Sequence, residues 1–241
     1  MASADSSAGG QPIPDTPLRV GINFGNALLA CRDASTMRPS GIAVDLAHEL
    51  GRRWGAAIEV VSYASANTMA DAARTAAWDI AFLATDPARS NEITFTEPYV
   101  EIEATYLVPA GSPAQTIADV DREGVRIAVS ERSAYDLFLT RTIMHATLLR
   151  APSVDDSVAL FFSEKLDALA GLKPLLEMVA ARHAGTVVIP GRFTEVCQAI
   201  GVPHGGSIAG LQAFVRDVTR SGFVAAALER HGVRGVVVPG S

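Results

Sequence analysis

Short apolar runs alternate along the chain with longer amphipathic segments, and this alternation determines the predicted fold. In the first part of the chain the apolar runs predict strands over 18–22, 58–63 and 80–83. The segments between them carry apolar residues at helical spacing, which predicts one helix over 41–54 and another capped by Asn67. A unit in which three strands alternate with two helices implies a mostly parallel sheet with helical crossovers.

A second unit of the same kind follows turn residues near Gly111 and Pro113. Its predicted strands cover 125–129, 148–150, 166–170 and 187–189, and its predicted helices begin at Ser133, Ser153 and Pro174. An extended run over 194–200 then returns to the first unit, and helices over 208–221 and 223–230 end the pattern. The chain is therefore predicted to be an α/β protein with two lobes joined by two extended crossings.

The predicted limits of the lobes follow this order of elements. Lobe 1 is discontinuous and covers 17–108 and 195–234, lobe 2 covers 109–194, and residues 235–241 form a tail. Residues 1–16 are small and polar, without the basic and apolar regions of a secretory signal, so they predict a disordered lead-in. Either a signal has been removed or the protein stays in the cytoplasm.

Composition and charge narrow the possible functions. The 241 residues, 49% of them hydrophobic, can bury one sizeable core or two modest ones. A net charge of −6 without a dense basic run argues against binding to nucleic acid, which requires clustered Lys and Arg. No apolar stretch reaches the roughly 18 residues that span a bilayer. Cys31 and Cys197 match no metal or redox spacing and are predicted to be separate thiols, although only geometry decides whether they pair.

The segment after the strand over 80–83 carries the most informative chemistry. Asp86 can cap a helix and Pro87 suits its first position, so Arg89 is predicted within one turn of a helix that begins where a buried strand ends. In open α/β sheets, ligands bind beyond the carboxyl ends of the strands. A guanidinium in that place can hold a carboxylate with two parallel hydrogen bonds. The alternative is a surface arginine that pairs with Asp86 or Glu92.

This segment, together with the run Phe95-Thr96-Glu97-Pro98-Tyr99, resembles the solute-binding proteins of amino-acid-type ABC transporters, the extracellular solute-binding family 3. Further local matches lie at 18–21, 41–47, 78–81 and 165–169. The resemblance covers nearly the whole chain, from about Leu18 to Gly232. It implies a type II periplasmic-binding-protein clamshell, in which each lobe is a mostly parallel sheet flanked by helices and two strands form the hinge. It also implies a periplasmic monomer whose partners are a small carboxylate ligand and an ABC permease.

In this family the ligand lies between the lobes, against strand-to-helix junctions from both. The predicted ligand contacts are Arg89, Thr85, Ala84, Phe82, Asn26, Asn23, Ser133, Ala134 and Lys173. The resemblance assigns the ligand's carboxylate to Arg89. Asn23 and Asn26 offer amides that donate and accept, but both could instead stabilise a turn. Ser133 can cap a helix whose first N–H groups favour an anion, while Phe82 could equally belong to the core.

One departure from the family affects the expected ligand. Amino-acid binders place an Asp just after the strand over 166–170 to hold the ligand's ammonium, whereas this chain continues Gly171-Leu172-Lys173 without a carboxylate. A lysine near an ammonium would repel it, unless Lys173 is simply an exposed residue at a helix start. An organic carboxylate is therefore better supported than an amino acid. Either the ligand carries a second anionic group, or Asp86 or Glu131 holds the ammonium.

Two other functions remain as alternatives. Cyclohexadienyl dehydratases share this fold and place an acidic residue after the same strand, which this chain lacks, so catalysis is not expected. A soluble ligand-sensing domain would also fit the missing signal. The expected function is capture of a small organic carboxylate, such as an amino acid or a related acid, for an ABC transporter, with neither a cofactor nor a metal.

Overall fold

The computed structural model describes residues 16–33 and 35–240, which form strands that pair into a long mixed sheet with helices packed on it. The strands are β1 (Leu18–Asn23), β2 (Cys31–Arg32), β3 (Pro39–Ser40), β4 (Ile58–Tyr63), β5 (Ile80–Ala84), β6 (Ile93–Phe95), β7 (Val100–Pro109), β8 (Arg126–Ser130), β9 (Thr147–Ala151), β10 (Ala168–Leu172), β11 (Thr186–Val188), β12 (Thr194–Pro203) and β13 (Val236–Val237). The helices are α1 (Ile42–Trp54), α2 (Ala66–Asp71), α3 (Ala134–Thr142), α4 (Val154–Ser163), α5 (Lys173–Arg182), α6 (Ala209–Arg220) and α7 (Phe223–Arg230). Short 3₁₀ turns lie at Ala72–Thr75, Pro87–Arg89 and Ile117–Asp119.

The main sheet has the strand order β4-β1-β5-β12-β7-β10-β8-β9. At one end β4, β1 and β5 pair in parallel, and at the other end β10, β8 and β9 do the same. Between these groups lie β12 and β7, each ten residues long, which pair antiparallel with each other and with β5 and β10. β12 pairs with β5 of the first parallel group, β7 pairs with β10 of the second, and the two strands pair with each other. They therefore form the two crossings between the groups. The predicted two-lobed α/β clamshell with two hinge strands is confirmed.

The limits predicted for the lobes remain a prediction. Residues 1–15 of the predicted lead-in lie outside the described residues. The pairing of β7 passes from β12 to β10 at Ala104, a few residues before the predicted boundary at 108. The tail predicted over 235–241 includes β13, in which Val236 pairs with Ile102 and Val237 with Glu101, so this segment extends the sheet beside β7.

Three predicted local features differ from the structure. Asn67 lies inside α2 and does not cap it, since Ser65 precedes the helix and its Oγ accepts a hydrogen bond from the Thr68 N–H at 3.2 Å. The strand predicted over 166–170 is shifted by two residues, because Lys165 adopts a left-handed backbone with φ 48° and places the turn before β10.

The third difference concerns the segment that contains Arg89. Asp86 does cap it, since its Oδ1 accepts a hydrogen bond from the Ala88 N–H at 2.8 Å. The helix, however, is a single 3₁₀ turn, after which the chain continues into β6.

Each lobe has its own apolar core on the side of the sheet away from the main cluster. In lobe 1 the largest member is Trp78, which is fully buried against Met69, Ala81 and Leu83 and donates from Nε1 to the Met69 carbonyl at 2.9 Å. In lobe 2 the corresponding cluster contains Phe161, Leu166, Leu169 and Leu176. The main cluster, in contrast, contains residues of both lobes.

Other findings on the described residues concern thiols, metals and membranes. Cys31 and Cys197 are both free, as predicted for separate thiols. Within residues 16–33 and 35–240, no group of three His, Cys, Asp or Glu side chains is arranged to hold a metal ion. In the same ranges, no helix combines the length and the apolar character that crossing a membrane requires.

The buried indole of Trp78 gives a test of the lobe 1 core. We expect Trp78→Ala to lower the free energy of unfolding by about 3–5 kcal/mol, because it removes a large buried side chain and leaves a cavity. Denaturant unfolding followed by circular dichroism measures this change. Met178→Ala is the control, since Met178 is 48% exposed and its truncation should change stability by no more than about 0.5 kcal/mol. Equal effects of the two substitutions would contradict the described core.

Candidate functional site

A cavity lies between the two lobes and is lined by residues of both. Lobe 1 contributes the carboxyl ends of β1 and β5 and the start of α2. Lobe 2 contributes the carboxyl ends of β8 and β10 and the starts of α3 and α4. The space not filled by protein atoms is about 780 Å³, part of which is open to solvent. Strand ends and helix starts thus face each other across the gap, which is the arrangement expected for ligand binding in parallel sheets.

The walls of the cavity are mostly apolar. The apolar and aromatic lining residues include Leu29, Ala30, Phe82, Leu83, Tyr99, Leu172, Leu175 and Val196. The uncharged polar lining residues are Asn23, Asn26, Ser65, Ser130, Ser133, Ser153 and Gln198. Among the described residues that line the cavity, Glu131 carries the single formal charge. The cavity therefore suits a small ligand with an apolar body and a few hydrogen-bonding groups.

Six of the nine predicted contact residues line this cavity, namely Asn23, Asn26, Phe82, Ala84, Ser133 and Ala134. The other three, Thr85, Arg89 and Lys173, do not. Thr85 lines a separate shallow groove together with Asp86 and Arg141. Whether any of the nine contacts a ligand stays a prediction.

Several lining residues combine a local structural role with a free polar group. The Asn23 Oδ1 accepts a hydrogen bond from the Gly25 N–H at 2.9 Å, and the Asn26 Oδ1 accepts one from the Leu28 N–H at 3.3 Å. Both asparagines therefore stabilise turns, while their amide nitrogens have no partner among the described residues. The Ser133 Oγ accepts a hydrogen bond from the Asp136 N–H at 3.1 Å, which confirms it as the cap of α3.

Arg89 is buried next to the cavity, with 5% of its surface exposed. Its Nη1 donates to the Ala84 carbonyl at 2.5 Å, and its Nη2 donates to the Arg132 carbonyl at 2.9 Å. Burial lowers the pKa of the Arg89 guanidinium to about 10, because the charged form loses its contact with water. Among the described residues Arg89 forms no ion pair.

Asp86 and Glu92, the two carboxylates with which a surface Arg89 could pair, are hydrogen-bonded to other arginines. Asp86 accepts hydrogen bonds from Arg141, and Glu92 accepts them from Arg74. The alternative of a surface ion pair for Arg89 is therefore wrong.

Lys173 lies at the hinge. Its Nζ donates to Oε2 of Glu103 on β7 at 2.7 Å, and Arg192 contacts the other oxygen of the same carboxylate at 3.0 Å. These hydrogen bonds hold the pKa of the Glu103 carboxyl below its usual value. Because the lysine is neutralised by Glu103 and does not line the cavity, its repulsion of a ligand ammonium is no longer an argument about the ligand.

Charged hydrogen bonds join the two lobes beside the cavity. Arg132 donates two hydrogen bonds to Asp71 at 2.8 and 2.7 Å, and Arg141 donates two to Asp86 at 3.0 and 2.9 Å. The bond from Arg89 to the Arg132 carbonyl crosses the same gap. The Arg132 bonds hold the pKa of the Asp71 carboxyl below its usual value. The described conformation is therefore a closed one.

Sequence analysis missed the part of the cavity formed by the hinge. Tyr99, Val196 and Gln198 line it, although the run over 194–200 is interpreted above only as a crossing and Tyr99 only as part of the run that carries the resemblance. The sequence contains one usable signal in β12. Gln198 lies two positions from the apolar residues Val196 and Ile200, so the three side chains share one face of the strand. Such a residue in a buried strand is a candidate for function.

Comparison with known proteins agrees with this geometry. The family described as bacterial extracellular solute-binding proteins, family 3, matches residues 18–232. Solved structures of similar fold include the solute receptor for L-cysteine of Neisseria gonorrhoeae, with a TM-score of 0.78, 20% identity and 89% of each chain covered. A histidine kinase sensor domain with similarity to periplasmic binding proteins has a TM-score of 0.78 and 18% identity, covering 92% of this chain and 98% of that one.

A third similar structure is an ancestral amino acid-binding protein, a precursor of cyclohexadienyl dehydratase. Its TM-score is 0.75 at 19% identity, over 89% of this chain and 94% of that one. No curated protein matches the sequence. At these identities the three structures support the fold and leave the ligand open.

The ion pair between Arg141 and Asp86 generates a prediction about closure. Asp86 is buried, whereas the Arg141 side chain is 42% exposed, so Arg141→Met leaves a buried carboxylate without its partner. We expect the substitution to destabilise the closed form by up to about 1 kcal/mol relative to the open form, so that the ligand-free protein opens. Opening increases the radius of gyration, which small-angle X-ray scattering measures. Arg126→Met is the control, because Arg126 is similarly exposed but pairs with Asp167 inside lobe 2. An unchanged radius for Arg141→Met would contradict this role.

Proposed function

Because the chain belongs to the bacterial extracellular solute-binding proteins of family 3, we propose that it captures a small organic carboxylate, an amino acid or a related acid, in the cavity between its lobes. The protein acts as a periplasmic monomer, and its closed, loaded form delivers the ligand to an ABC permease. The strand ends and helix starts from both lobes that line the cavity support this proposal.

The buried charge of Arg89 is the observation that carries the proposal. A guanidinium has five N–H donors. Two hydrogen bonds from the Arg89 guanidinium have acceptors among the described residues, the Ala84 and Arg132 carbonyls. A buried charge without a counter-charge lowers stability unless a partner compensates it. A ligand carboxylate would provide both the opposite charge and the missing acceptors.

The position of Arg89 relative to the cavity fits this role. Ala84, whose carbonyl accepts from Arg89, is itself a lining residue. The guanidinium therefore lies directly behind the cavity wall, and a carboxylate bound at the end of β5 would approach it from the cavity side.

Closure of the lobes follows from the same contacts. The Arg89 guanidinium donates to a lobe 1 carbonyl and to a lobe 2 carbonyl, so a ligand that binds it touches the contact between the lobes. A ligand shifts the balance between open and closed forms by its difference in affinity for the two. Hinge closure around a ligand is a common motion in binding proteins of this shape.

Binding is proposed in preference to catalysis. A dehydratase reaction on this fold needs a positioned proton donor. The carboxyl group among the lining residues belongs to Glu131, which follows β8 and is exposed to solvent. The residue that follows β10, Lys173, is paired with Glu103. Neither group is placed as an acid at the centre of the cavity.

Replacing Arg89 tests the proposal. A thermal-shift screen with amino acids, 2-oxo acids and dicarboxylates first identifies a ligand, because a ligand that binds the native state raises its midpoint. We expect Arg89→Met to weaken binding of that ligand by about 100-fold or more, since a buried charged hydrogen-bonded partner is lost. Isothermal titration calorimetry measures the change.

Arg74→Met is the matched control for this measurement. Arg74 is also in lobe 1, but its side chain is 64% exposed, pairs with Glu92 and does not line the cavity, so ligand binding should remain unchanged. Normal binding by Arg89→Met would show that the carboxylate is held elsewhere.

The dehydratase alternative has a direct test. We expect that incubation of the protein with prephenate or arogenate yields no aromatic product, because none of the described residues places an acid at the centre of the cavity to assist loss of water. Ultraviolet absorbance and chromatography follow the product, and ligand binding by the same sample shows that the protein is folded. Turnover that depends on Glu131 would replace the binding proposal with a catalytic one.

A further inference from the structure

A polar residue occupies a buried position in the hinge strand β12. Val196, Gln198, Ile200 and Val202 follow each other at every second position, and their exposed fractions are 4%, 5%, 0% and 5%. Side chains two positions apart in a strand share a face. Three of these four are apolar, and the fourth is glutamine, a residue that is mostly exposed in proteins.

The backbone of Gln198 lies where the sheet passes from one lobe to the other. Gln198 pairs with Val100 of β7 on one side and with Ala84 of β5 on the other. Its carbonyl accepts a hydrogen bond from the Tyr99 N–H at 2.8 Å. Because both neighbouring strands hold this backbone, the side chain has a fixed place in the cavity lining, next to the Ala84 carbonyl that contacts Arg89.

The Gln198 side chain is unpaired. Its amide makes no hydrogen bond with any residue of the described part of the chain. Tyr99, another lining residue, has a fully buried hydroxyl that also lacks a partner among those residues. The Gln198 amide keeps some exposure to the cavity and is not completely buried, while a residue kept only for packing would be apolar like its neighbours in β12. These groups therefore point to a partner from outside the chain.

The surroundings of Gln198 indicate what this partner is. Phe82 and Tyr99 pack edge to face with 5.8 Å between their ring centroids, and with Val196 they form an apolar wall. The charged lining residue Glu131 belongs to the other lobe. Because the ligand's carboxylate takes Arg89, a second charged group next to Gln198 would be buried without a counter-charge of its own, whereas an uncharged group can both donate to and accept from an amide.

We propose that Gln198 determines specificity by hydrogen bonding an uncharged polar group of the bound acid, such as an amide, a hydroxyl or a carbonyl. This inference rests on the proposed function and adds the class of ligand. The ligand is an organic carboxylate, with or without an α-ammonium group, whose side group is uncharged and carries at least one hydrogen-bonding group.

Pairs of probes that differ in one uncharged polar group test the ligand class. The pairs are L-glutamine with L-methionine, L-threonine with L-valine, and lactate with propanoate; L-glutamate is the charged counterpart of L-glutamine. In thermal-shift measurements on the wild-type protein, we expect the polar member of at least one pair to raise the midpoint more than its apolar partner, and L-glutamate to raise it less than L-glutamine. Larger shifts with the apolar members would overturn the inference.

Gln198→Leu tests the residue itself. For the best polar probe we expect its Kd to rise about tenfold, the effect of losing one hydrogen bond to an uncharged group, and the preference within the pair to weaken or invert. The midpoint of the ligand-free variant should be equal to or above that of the wild type, because an unpaired amide becomes apolar. A structural glutamine would lower that midpoint and weaken both members of a pair equally.

Gln212→Leu is the matched control. Gln212 lies on α6, does not line the cavity, and accepts a hydrogen bond from the Glu97 N–H at 2.9 Å, so its replacement should leave both Kd values unchanged. If Gln198→Leu also leaves them unchanged, the amide holds only water and the inference is wrong while the proposed function stands. If none of these carboxylates binds the wild-type protein, the proposed function fails together with the inference.

Discussion

The pairing of β7 with β12 is the constraint on which the rest of this structure depends. Both strands continue through the gap between the lobes, so the parallel strands of lobe 1 and those of lobe 2 belong to one hydrogen-bonded sheet. This connection turns the carboxyl ends of β5 and β10 toward the same space. It also places hinge residues such as Gln198 in the lining of the cavity, whereas in a protein with two independent domains they would form a linker. The two strands that join the lobes therefore also line the cavity between them.

The sequence predicts the elements of this fold better than the contacts of its site. Strands such as β4 and caps such as Ser133 and Ser153 follow from local rules that operate within a few residues, and the structure agrees with them. Asn67 shows the limit of those rules, because two polar residues within one turn can both cap a helix and only the backbone decides between them. Arg89 and Lys173 show a second limit. Their partners, the Arg132 carbonyl and Glu103, are distant in sequence, so no pattern along the chain indicates that one cation is buried and the other is neutralised at the hinge.

Buried polar groups without a partner occur both at the cavity and away from it. Many polar groups away from the cavity are paired within the chain, as in the bidentate pair of Arg132 with Asp71. The Asn67 Oδ1 and the Gln212 Nε2, which do not line the cavity, are nevertheless fully buried and have no partner among the described residues. Around the cavity, Arg89 has a buried charge without an ion pair, and Gln198 and the Tyr99 hydroxyl have no partner among the described residues. Such local losses of stability are expected where a protein must recognise another molecule. The unpaired groups of the cavity lining lie where the strand ends of both lobes meet, and it is this meeting of strand ends that identifies the region.

Charge recognition and lobe closure meet at Arg132. Its carbonyl accepts from Arg89, and its side chain binds Asp71 of lobe 1, so the turn after β8 contacts lobe 1 through two separate groups. The first contact depends on the guanidinium next to the ligand space, and the second lies on the surface, where salt screens it. A carboxylate at Arg89 would neutralise the buried charge only while the lobes exclude water from it. The free energy of such binding would therefore be released mainly in the closed form, and this difference between the two forms is what a ligand needs to hold the lobes together.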